Sequence, residues 1–133
     1  MFKKAILYLL FIIIPAEVLS QVLIDSLYKQ HTFCTTDSCK IRLQNQLINE
    51  LVFIDLTKSL EVAEATIAKS NKNDLNTYLT SKSNYGTVLV KLERFEDAKI
   101  VFQEIKKIAI ENKLPDFIAK ANLGLSKYYI EKN

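Results

Sequence analysis

Tryptophan is absent from this 133-residue chain, and glycine, proline and cysteine occur only twice each. So few Gly and Pro leave little material for tight hairpin turns, which argues against a strand-rich fold. There is a single histidine, His31. A Ser-His-Asp site or a zinc site has to be built around it, and no further ligands stand close to it in sequence. His31 therefore reads as an exposed loop residue, and no metal or other cofactor is expected. No glycine-rich phosphate loop occurs. Lys and Arg number 18 against 15 Asp and Glu, for a net charge of +3. The two signs are mixed along the chain, without the basic run that nucleic acid requires. No catalytic constellation emerges, so the expectation is a protein that is not an enzyme.

Most of what is present is tolerable helix material: Leu, Ile, Lys, Glu, Gln and Ala. The first twenty residues stand apart. Lys3 and Lys4 precede an unbroken apolar run from Ala5 to Ile14, and Pro15 ends it. Val18 and Ser20 suit the −3 and −1 positions of a cut before Gln21. This is the layout of a secretory signal peptide, residues 1–20. The run is short of the roughly 20 residues that cross a bilayer. The expectation is an exported protein, periplasmic or extracellular, meeting a membrane only through this segment if it stays uncleaved.

Residues 21–38 read as a short helix followed by a Thr-rich loop. Residues 39–133 read as a helical domain. Leu43, Leu47, Leu51 and Ile54 share one helical face, and Leu56, Leu60, Ala63 and Ile67 form a second stripe. A turn near Asp55 divides two helices here, or one long helix runs through. Residues 70–74 form a loop. A helix then reaches about Leu92, another runs from Phe95 to about Glu111, and Pro115 suits the first turn of a last one.

In an exported chain, the pair Cys34 and Cys39 favours a disulfide. Two cysteines five apart on one helix are about 7.5 Å apart along its axis, so a bridge needs Cys34 in a loop. Two free thiols are the alternative. The spacing is not the Cys-x-x-Cys of a redox pair.

The two glycines lie 38 residues apart in matching phrases, Ser81-Lys82-Ser83-Asn84-Tyr85-Gly86 and Ala119-Lys120-Ala121-Asn122-Leu123-Gly124. Gly86 precedes Ala98 by 12 residues and Phe102 follows Ala98 by four. With Tyr85 before the glycine and Phe95 before the alanine, this resembles a tetratricopeptide repeat. Leu123-Gly124 restarts the pattern. Residues 39–70 match loosely, either with Leu47-Ile48 and Leu60 or with Ser59 and Ala63 at the small positions. The resemblance implies an all-α, antiparallel helix-pair superhelical solenoid of about two and a half repeats. Tyr85, Gly86, Phe95, Ala98, Phe102, Leu123 and Gly124 would pack the repeats. Asn84 and Asn122 would contact the backbone of a protein or peptide partner, flanked by Lys82, Lys91, Lys120 and Lys127. An alternative is the extracytoplasmic sensory part of a bacterial signalling protein, a histidine kinase or transcriptional regulator, without its effector module. Phe117, Leu125, Tyr128 and Tyr129 on the last helix would be left uncovered, which suggests self-association there.

Overall fold

The computed structural model describes residues 15–132, and every element in it is a helix. In chain order these are α1 (Ala16–Phe33), α2 (Asp37–Leu51), α3 (Leu56–Lys69), α4 (Leu75–Lys91), α5 (Phe95–Glu111) and α6 (Pro115–Lys132). Residues 1–14 of the expected signal segment lie outside the described residues, while 16–20 form the first turns of α1.

Local chemistry sets the boundaries. Asp55 has an extended backbone and its carboxylate accepts the Lys58 amide at 2.9 Å. That cap starts a new helix, so the single long helix over 39–70 does not form. Thr36 caps α2 by accepting from the Cys39 amide, and Asp74 caps α4 by accepting from the Thr77 amide. Hydrogen bonds from Thr77, side chain first and backbone second, hold the exposed Asp74 carboxyl below its usual range. At the other ends, Glu93 (φ 59°) and Lys113 (φ 55°) take the left-handed conformation. Each closes a Schellman turn: the Arg94 amide donates to the Leu89 carbonyl, and the Leu114 amide to that of Ala109, both at 2.9 Å. Neither turn uses glycine, so both glycines remain available for helix packing.

The short loops make consecutive helices antiparallel neighbours, and each packs on the next. α2 also meets α4, and α4 meets α6, whereas α3 and α5 do not approach one another. The backbone of α1 approaches only α2. Ile24 and Leu27 of α1 join Leu43, Leu47 and Leu51 in one apolar cluster. A second joins Ile48, Val52, Ala63 and Val88. The largest spans α4 to α6, with Leu79, Leu89, Ala98, Phe102, Ile105 and Leu125 among its members.

The clusters show how the first helix pair relates to the second. Ser59 and Ala63 are fully buried on α3, while Leu60 is only half-buried. Ser59 donates to the Ile48 carbonyl at 3.0 Å, a close helix approach that a larger residue would block. Ser59 and Ala63 are thus the small, fully buried positions of α3, as Ala98 is of α5. The volumes are exchanged: a large residue on α2 faces a small one on α3, and a small one on α4 faces a large one on α5.

Three expectations change. Residues 30–33 continue α1, and His31 is half-buried on its last turn rather than in an exposed loop. Phe117, Leu125 and Tyr128 are buried, so of the four residues expected to be uncovered on α6 only Tyr129 is exposed; the other exposed large apolar residues of α6 are Leu123 and Ile130. Leu123 is 63% exposed where repeat packing was expected. Tyr85, its counterpart, reaches two apolar clusters with a long side chain. Leu123 is shorter and stays beside Val90 and Phe102 at the surface.

Candidate functional site

The faces of α2, α4 and α6 that look away from α3 and α5 form a groove with two connected cavities, of about 500 and 220 Å³. Helical spacing explains the lining. Arg42, Asn45, Gln46 and Asn49 recur every three or four residues on α2, as do Asn76, Thr80, Asn84 and Thr87 on α4 and Lys120, Leu123 and Lys127 on α6. Thr80, Asn84 and Lys120 border both cavities. The larger cavity is lined by amides, hydroxyls, Arg42 and Lys120, whereas the smaller adds Lys127 and an apolar wall of Val90, Phe102, Leu123 and Gly124; among the described residues neither lining contains a carboxylate.

A polar network fixes the floor. The Asn84 amide donates to the Asn45 side-chain oxygen at 2.9 Å, and the Asn45 amide donates to the Ser81 hydroxyl at 3.0 Å. Ser81 donates to the Thr77 carbonyl, and the Ser70 hydroxyl meets Ser81 at 3.1 Å. Asn45 and Ser81 are buried, so these bonds satisfy groups that would otherwise be costly to enclose. They hold α2, α4 and the end of α3 together beneath the groove. Asn84 thus joins helices and borders the groove at once.

The residues expected to meet a partner separate into two groups. Asn84, Lys120 and Lys127 line the groove. Lys82, Lys91 and Asn122 do not. Residues two apart point to nearly opposite sides of a helix, so Lys82 cannot share the groove with Asn84, nor Asn122 with Lys120. Lys82 is buried, forms an ion pair with Glu104 of α5 and lies 5.4 Å from the Tyr78 ring centre. Lys91 sits at the far end of α4, 5.7 Å from the Phe53 ring centre. Asn122 is exposed outside the groove. Arg42, Asn45, Gln46 and Asn49 did not stand out in the sequence. Their common face was readable from their spacing once the apolar stripe of α2 was drawn.

Gly86 and Gly124 meet at Phe102. A Cβ on Gly86 would lie 2.8 Å from Cζ of that ring, and one on Gly124 would lie 2.5 Å from three of its carbons. Phe95 is half-buried and Ala98 buried at the start of α5. Cys34 and Cys39 are joined by a disulfide across the α1–α2 turn, with Cα atoms 5.7 Å apart. Among the described residues no three His, Cys, Asp or Glu side chains converge on a point where a metal could sit. No helix among them is long and apolar enough to cross a membrane.

No protein family, characterised protein or solved structure matches this chain.

Proposed function

We propose that the chain is a tetratricopeptide-like binding module outside the cytoplasm, taking an extended acidic segment of a protein partner in the groove over α2, α4 and α6. It carries out no chemistry. The observation behind this reading is the lining: Arg42 and Lys120 among amides and hydroxyls in the larger cavity, Lys127 beside an apolar wall in the smaller, and no carboxylate among the described lining residues. Amides both donate and accept, which suits a peptide backbone, while the cations select carboxylate side chains. The contacts of α2 with α4 and of α4 with α6 fit the inner layer of a helical-repeat solenoid, and the large-for-small exchange fits two related helix pairs.

The test is an array of acidic, neutral and basic peptides of about ten residues, read by fluorescence anisotropy. Acidic peptides should bind, and the charge reversals Arg42→Glu and Lys120→Glu should each weaken binding about tenfold, an effect that shrinks with added salt. Equal binding of all three classes, or charge reversals without effect, would remove the proposal.

A further inference from the structure

α1 carries two apolar faces and has a described partner for only one. Ile24 and Leu27 turn to α2. Val18, Leu19, Val22 and Leu23 are exposed on another side, separated by a ridge of Glu17, Gln21 and Asp25. Gln21 and Asp25 are hydrogen-bonded along that ridge at 3.0 Å. The bare face is aliphatic over the first two turns and apolar again only at its far end, where Phe33 is exposed. In between, the same side carries Ser26, Lys29 and Gln30, and Gln30 donates to Ser26. The apolar run 5–14 precedes the aliphatic first turns of α1 directly in sequence, through Pro15.

The α2–α3 turn lies at this same end. α1 and α2 form an antiparallel pair, and Glu50, near the end of α2, lines a surface hollow with Leu19, Val22 and Leu23. Three residues on, Phe53 is 78% exposed, and Ile54 beside it is exposed too. An exposed aromatic at a turn tip, with the Lys91 ammonium 5.7 Å from its ring centre and at the same end of the molecule as a bare aliphatic stripe, is suited to a lipid interface.

We infer that this end of the molecule rests on a lipid bilayer in the chain that keeps its first twenty residues. Val18, Leu19, Val22, Leu23, Phe53 and Ile54 lie in the headgroup–acyl boundary. Lipid suits the run 5–14 better than a fold-back onto α1 does. The run has no polar residue to give it an outward face, so covering one side would leave the rest bare. Cleavage after Ser20 would remove the run and with it the tether. The inference does not depend on what occupies the groove.

The absence of tryptophan supplies the test. Single-tryptophan variants Leu19→Trp, Phe53→Trp and, as a distant exposed control on α5, Ile100→Trp are made in the full 133-residue chain. Each is mixed with phosphatidylcholine vesicles containing some phosphatidylglycerol. The protein should float with the vesicles, and the emission of Leu19→Trp and Phe53→Trp should shift to the blue while Ile100→Trp stays unchanged. The pair Val22→Asp and Phe53→Asp, both at exposed sites, should lower the vesicle-bound fraction at least about tenfold with helix content intact. Failure to float overturns the inference. So does flotation with Leu19→Trp and Phe53→Trp unshifted, which would mean that the run 5–14 holds the protein alone. An equal shift at Ile100→Trp would show unspecific adsorption. A blue shift without vesicles, accompanied by a doubled mass in sedimentation, would assign the surface to a second copy instead.

Discussion

A methyl group on Gly124 would lie 2.5 Å from three carbons of the Phe102 ring, and one on Gly86 would lie 2.8 Å from its tip. Helical glycine gives up about 1 kcal/mol of helix propensity relative to alanine. Here that cost gives the ring room between α4 and α6. Gly124→Ala should therefore destabilise by about 1–3 kcal/mol despite its better propensity, and Gly86→Ala by less, because only the end of the ring is in its way. Phe102→Leu should relieve the clash. A double-mutant cycle of Gly124→Ala with Phe102→Leu in urea should show coupling above about 0.5 kcal/mol, and strict additivity would refute the contact. The sequence set both glycines and Phe102 among the residues that would pack the repeats, through the resemblance, without pairing them with one another. The matching place in the first pair was harder to read. There the large residue, Ile48, is on the first helix of the pair and the small one, Ala63, on the second, so a search for a glycine finds nothing.

At the scale of elements, α4 and α5 are joined by more than apolar packing. The Lys82 ammonium is buried while Glu104, its partner on α5, is half exposed, and Tyr78 lies beside them. The sequence suggested a different place for Lys82, because Lys82 and Lys120 hold the same position in the two repeated phrases. Their environments differ since a carboxylate 22 residues further along the chain folds onto the first. A pattern of residue types shows which positions correspond but not which acid reaches them. The asymmetric burial predicts asymmetric mutants. Glu104→Ala strands a buried charge and should cost about 1–3 kcal/mol, whereas Lys82→Met keeps the stem's packing and should change stability by less than about 1 kcal/mol. Thermal unfolding of the two variants side by side checks this. Equal losses would mean that the pair acts through its attraction alone. The start of α4 was legible from the loop ending at Asp74, whereas the cap at Asp55 decided between two readings that the sequence left open. The end of α1 was not legible, because His31 and Thr32 are weak helix formers, and only a local bond, from the Thr32 hydroxyl to the Lys29 carbonyl, marks them as helical.

Across the whole molecule, each helix leans on near neighbours, and α1 has the fewest. Its backbone meets only α2, through Ile24 and Leu27 and the Cys34–Cys39 bridge. A stack held by nearest-neighbour contacts need not unfold as one unit, and its end elements can open first. The disulfide opposes that opening at the α1–α2 turn. Closing so short a loop is worth about 2 kcal/mol in the chain-entropy account. α1 should therefore open far more readily once the bridge is gone, while α4, α5 and α6 share the largest cluster and stay shut. In the Cys34→Ser, Cys39→Ser double variant, amide hydrogen exchange in α1 should speed up by roughly 10- to 30-fold, with that of α5 almost unchanged. If α1 and α5 accelerate together, the six helices form one cooperative unit and the bridge stabilises all of it. If neither changes, the contacts of Ile24 and Leu27 hold α1 without help from the sulfurs.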